Sequence, residues 1–102
     1  MTQIGTLHHG LVIRLLEGSG FAASDLRRAA FENADLPQPL ATLVEKVALE
    51  ADRVTDDDVN AVRAAGFSED QIFELVVCAA VGQATRMYES ATSALRAARS
   101  GV

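Results

Sequence analysis

The sequence predicts an all-α domain of about five helices, the last of them long and central. Three observations carry this. Apolar residues recur three and four apart in several separate stretches, which is the spacing of one helical face. Two helix-start signatures, Thr55 with Asp58 and Ser68 with Gln71, lie thirteen positions apart with one glycine, Gly66, between them. Residues 72–84, IFELVVCAAVGQA, are apolar nearly all round, and a helix without a polar face belongs in the middle of something.

The first helix is expected over roughly residues 6–17. Leu7, Leu11 and Leu15 recur on one face, Val12 and Leu16 widen it, and Gly18 and Gly20 end it. A short second helix starts near Ser24, read as its cap, and carries Leu26, Ala30 and Phe31 inward. The prolines of Leu36-Pro37-Gln38-Pro39 mark a linker, with Pro39 suited to a first helical position. In the third helix Leu40, Leu43, Val44, Val47 and Ala51 form one stripe, with Leu49 off it and Lys46 placed to pair with Glu50. The fourth helix is expected over residues 56–65, opened by the Thr55/Asp58 box and the Val54/Val59 staple, and closed by Gly66 in a left-handed turn. The Ser68/Gln71 box and the Phe67/Ile72 staple open the fifth helix, which reaches about Arg99.

Composition narrows the function classes. The chain has 102 residues, enough for one small core. Its formal net charge of −5 disfavours a nucleic-acid backbone as partner. No apolar run approaches the ~20 residues that span a bilayer, and no secretory signal is visible, so neither a membrane nor export is expected. The single cysteine, Cys78, excludes an intrachain disulfide and fits a cytoplasmic location.

Few residues offer chemistry. The two boxes around Gly66 resemble a helix–turn–helix, with Val62, Gly66, Phe67 and Ile72 near its core positions. The would-be recognition helix, however, opens with Glu69 and Asp70, which repel phosphates, and Arg63 does not offset them. His8 and His9 are adjacent, point about 100° apart on a helix, and have no further ligand to join them. They read as a solvated pair near a helix start, and no metal is expected. Glu74, Cys78, Thr85 and Tyr88 fall on one stripe of helix five with Val81 between them. The bland reading of Cys78 is a small core residue. The functional one is a carboxylate, a thiol, a hydroxyl and a phenol facing one cavity. Arg86, with Gln83, lies on the opposite stripe; its burial requires an acidic partner, Glu89 or Glu50, or a bound anion.

The stretch Glu45-Lys46-Val47, then Val54-Thr55-Asp56-Asp57-Asp58-Val59, then AAGFSEDQIFELVVCAAVGQATRMYESA, resembles the alkylhydroperoxidase D-like, carboxymuconolactone decarboxylase superfamily. The similarity covers about residues 40–98 and centres on Gly66-Phe67-Ser68-Glu69-Asp70-Gln71-Ile72-Phe73-Glu74-Leu75, the phrase with which many members open a long helix. It implies an all-helical, homo-oligomeric protein. Peroxidase-type members work through Cys-x-x-Cys followed by a histidine, with a glutamate upstream on the same helix. Here only Glu74 matches. Ala79-Ala80-Val81 follow Cys78, and no histidine comes after it.

These readings set the expectations. Residues 1–38 form an N-terminal helical segment and residues 39–102 an alkylhydroperoxidase D-like core, together one domain. The first functional reading is a non-catalytic protein with a structural, small-molecule-binding or accessory role. The alternative is a cofactor-free enzyme of carboxymuconolactone decarboxylase type acting on a small acid or lactone. Its site candidates are Glu74, Cys78 and Tyr88 for catalysis, and Arg86 and Thr85 for ligand binding. No cofactor is expected. Self-association through helix five is expected, because the all-round apolar segment and Leu49 exceed what so short a chain buries alone.

Overall fold

The computed structural model describes the backbone of residues 2–101 and the side chains of residues 7–101. Five helices follow in order: α1 (Thr2–Glu17), α2 (Ser24–Glu32), α3 (Leu40–Leu49), α4 (Asp56–Ala64) and α5 (Glu69–Ser100), with a 3-10 turn at Ala51–Arg53 between α3 and α4. No strand occurs among the described residues.

The capping chemistry forms the elements as the sequence dictates at α4 and α5. Thr55 Oγ1 accepts from Asp58 N–H at 3.2 Å, and the Asp58 carboxylate accepts from Thr55 N–H at 2.9 Å. Ser68 and Gln71 exchange the same pair of bonds at 3.1 and 2.9 Å. Each box satisfies amide groups that the first helical turn leaves free. Gly66, at φ 108°, makes the turn between the two helices, a conformation that side-chain-bearing residues resist.

Four local expectations are corrected. Ser24 is the first residue of α2 rather than its cap; Ala23 occupies the cap position and no side chain bonds there. α2 ends on Asn33 in the left-handed conformation, whose N–H returns to Ala29 and Ala30 carbonyls. Pro39 caps α3 instead of opening it. The α3 stripe stops at Val47, because Ala51 has left the helix for the exposed 3-10 turn. Lys46 pairs with Asp58, at 2.9 Å, while Glu50 takes Arg53. Asp58 thus closes the α4 box and ties α4 to α3. The Lys46 ammonium, then Thr55 N–H, hold its carboxyl below the usual range.

The core gathers Ala22, Ala30, Leu40, Leu43, Val44, Val62, Ile72, Leu75, Cys78 and Ala79 around the first half of α5. Ala22, Arg27 and Ala30 from the first 38 residues are buried in it, so the N-terminal segment belongs to the same packing unit. α2 crosses α5 at Gly82, where a Cβ built on the glycine would collide with the Phe31 carbonyl. Gly82 therefore marks a helix crossing, and the neighbouring helix is α2.

α1 lies along α5 in the opposite direction, with His8 beside Thr85 and the chain after Gly18 beside Glu74. It is rotated from its expected setting. Leu7 and Leu11 are exposed, while His8, Val12 and Leu15 are half-buried and Leu16 is buried. Both faces carry apolar residues at helical spacing, so periodicity alone leaves the choice open.

Candidate functional site

Glu74 anchors the first cluster. Its Oε2 accepts from Phe21 N–H at 3.0 Å and its Oε1 from Ala22 N–H at 2.9 Å. Arg27, 5% exposed, approaches Oε1 at 3.6 Å through Nε, which donates to the Ala22 carbonyl at 3.1 Å; its Nη1 donates to the Leu15 carbonyl at 2.9 Å. One carboxylate and one guanidinium thereby clamp the α1–α2 turn onto α5. A Cβ at Gly20 would fall 2.5 Å from Glu74 Oε2, so a larger residue there would displace the carboxylate from these bonds. Arg27 was not among the expected site residues. Its signal is weak: it stands three before buried Ala30 on a polar-looking helix.

Cys78 sits one turn along from Glu74 and is fully buried. Burial, then the nearby Glu74 charge, push its thiol from 9.0 up to about 11. The thiolate, which is the nucleophile, is thus scarce at neutral pH. Two outcomes are expected. Folded protein at pH 8 will react with iodoacetamide far more slowly than urea-unfolded protein. Purified protein given hydroperoxide and a dithiol will show no multiple turnovers, and Cys78→Ser will leave the background peroxide loss unchanged. The linkage also has a sign. Between pH 9 and about 11 the native thiol keeps its proton while the unfolded one loses it, so native stability falls as pH rises through that window.

Thr85 and Tyr88 belong to a second cluster, against α1. With His8, His9, Val12, Ala84 and Glu89 they line a cavity of about 470 Å³ whose walls are mainly apolar. Thr85 Oγ1 donates to the Val81 carbonyl at 2.7 Å, so at 2.9 Å it accepts from His8 Nε2. His8 Nε2 therefore carries a proton. The His8 and Tyr88 rings lie 6.4 Å apart, tilted by 33°. His8 is accordingly a packed, hydrogen-bonded cavity residue and not half of a solvated pair. Its signal in the sequence is its place four before Val12. Among the described residues, no group of three or more His, Cys, Asp or Glu side chains converges as a metal site would require.

The expected stripe Glu74, Cys78, Thr85 and Tyr88 is therefore real as a line on α5 but does not face one cavity. Its first half is closed by the α1–α2 turn and α2, its second half is roofed by α1. Arg86 needs no acidic partner: Nη1 donates to the Phe31 carbonyl at 2.6 Å and Nη2 to Gln83 Oε1 at 3.1 Å. It secures the end of α2 beside Gly82.

No known family, curated protein or solved structure matches this chain. No helix among the described residues is long and apolar enough to cross a membrane.

Proposed function

We propose that this protein is a non-catalytic, small-molecule-binding member of the alkylhydroperoxidase D-like type, with the α1–α5 cavity as its binding site. The observation that carries the reading is the cavity itself: about 470 Å³, largely apolar, with His8, Thr85, Tyr88 and Glu89 at its wall. Pockets that hold small ligands combine this size with a few convergent polar groups. The family assignment is supported by the all-helical fold and by the long α5 opened by the Ser68/Gln71 box. The enzymatic alternative asks Glu74 to exchange protons with a substrate. Both of its oxygens already accept backbone N–H groups beside Arg27, which speaks against that role.

The polar groups suggest the ligand's chemistry. Glu89 offers a carboxylate at the cavity wall, which accepts hydrogen bonds and repels like charge, so an apolar body carrying a hydrogen-bond donor fits better than an anion. Tyr88 is the sole tyrosine in a chain without tryptophan, so its fluorescence reports directly on the cavity. Cyclohexanol and cyclohexylamine are expected to change Tyr88 emission saturably, cyclohexanecarboxylate is not, and Val12→Phe is expected to abolish the response. The absence of a saturable change with all three probes would remove this reading.

A further inference from the structure

α5 has a face that no described residue covers. Its 32 residues reach about 48 Å at about 1.5 Å per residue, and the molecule is correspondingly elongated, 54 × 29 × 20 Å. From residue 87 to residue 100 every side chain except Thr92 is exposed. Opposite the buried Leu75, Ala79 and Gly82, apolar residues recur at alternating steps of four and three: Phe73, Val77, Ala80, Ala84, Met87, Ala91, Ala94 and Ala98. This is the repeat of a coiled-coil seam, sustained for more than three heptads. Val77 is half-buried and the other seven are exposed, Phe73 by 71% and Met87 by 63%. An isolated helical extension of this kind has little to hold it in water, since helix stability in proteins comes mainly from packing.

We propose that a second copy of this chain packs its α5 antiparallel against this seam. Size complementarity selects the direction. Centred between Ala84 and Met87, an antiparallel pair sets Phe73 against the partner's Ala98, Val77 against the partner's Ala94, Ala80 against the partner's Ala91 and Met87 against the partner's Ala84. Each larger side chain meets an alanine. A parallel in-register pair would instead stack Phe73 on the partner's Phe73 and Met87 on the partner's Met87, leaving the alanine layers underfilled. Charge selects the same direction. The acidic first turn, Glu69 and Asp70, comes to lie at the partner's basic end, which carries Arg96 and Arg99, and opposite helix dipoles meet. The seam runs from Phe73 to Ala98, about 38 Å, and two helices of about 10 Å diameter in contact over that length bury on the order of 1,000 Å², the size that separates a biological interface from a chance contact. Ala84 lines both the seam and the α1–α5 cavity, so the second copy borders the ligand site.

The test uses the whole chain. Sedimentation equilibrium at micromolar concentration is expected to show an even-numbered assembly built on the dimer. Ala80→Glu and Ala91→Glu, each on an exposed position, should weaken association by at least about 100-fold, through a buried charge, with helical circular dichroism unchanged. Orientation is read by disulfide formation. A mixture of Ala80→Cys and Ala91→Cys proteins should cross-link to each other, and neither should cross-link to itself; buried Cys78 gives no background. A monomer, an assembly indifferent to both glutamates, or self-cross-linking of Ala80→Cys would each overturn the proposal.

Discussion

Glu74→Ala will lower the stability of the fold by about 3–5 kcal/mol, the range seen when one member of a buried ion pair is removed. The loss has two parts. Arg27, almost fully buried, keeps its charge without a counter-ion, and the N–H groups of Phe21 and Ala22 lose their acceptors. Glu74→Gln keeps the shape but offers an N–H₂ to one of two donors, so it will also destabilise, by less. Arg27→Ala alone will be destabilising, and the double variant will cost less than the sum of the singles, because removing Glu74 already costs the pair. Urea unfolding measured for all four variants decides this. A Glu74→Ala loss below about 1 kcal/mol would mean the clamp is a surface contact of the ordinary kind. It would also return Glu74 to the list of groups free to do chemistry.

Gly82→Leu will prevent stable folding, and Gly82→Ala will already be destabilising. Glycine inside a helix normally costs up to about 1 kcal/mol against alanine, so a gain would be the naive expectation. The packing reverses it. A Cβ at Gly82 would collide with the Phe31 carbonyl oxygen and come within 2.7 Å of its carbon and 2.9 Å of its Cα. These are backbone atoms at the end of α2 and cannot rotate away. The same carbonyl accepts from Arg86, so moving α2 also breaks that bond. Overpacking of this sort costs typically about 1–3 kcal/mol. For Gly82→Ala the net loss should lower Tm by about 4–8 °C per kcal/mol in a domain of this size. Gly10, in the middle of α1, is the control. Nothing lies within 4 Å of a Cβ built there, so Gly10→Ala should raise Tm slightly. If Gly82→Ala also raises Tm, α2 does not cross α5 where the structure places it.

The all-helical fold, the length of α5 and both capping boxes were legible in the sequence. Their causes act within four residues: a Thr or Ser oxygen reaching the amide three positions on, a glycine taking a positive φ, an apolar stripe repeating every turn. The two boxes needed no knowledge of the rest of the chain. Ser24 was misread for a related reason, since a good capping residue one position inside the helix looks the same as one at its edge.

Partner choices between helices were decided only by the tertiary structure. Lys46 has Glu50 one turn away, yet bonds Asp58, because folding α4 back on α3 brings that carboxylate within 3 Å. Arg86 satisfies itself on a carbonyl that any residue at position 31 would present, so no side-chain pattern announces it. Arg27 is buried because the α1–α2 turn folds over Glu74, a contact between residues 47 apart in the chain. α1 carries two apolar faces, and which one turns inward was settled by the fit of His8 and Val12 against Thr85 and Tyr88. The line from Glu74 to Tyr88 was visible as spacing, but whether it faces one cavity depends on what covers each half. Local sequence specifies a helix and its ends through short-range hydrogen bonds; the rotation of one helix against another is set by side-chain volumes and polar groups that meet only after the chain has closed.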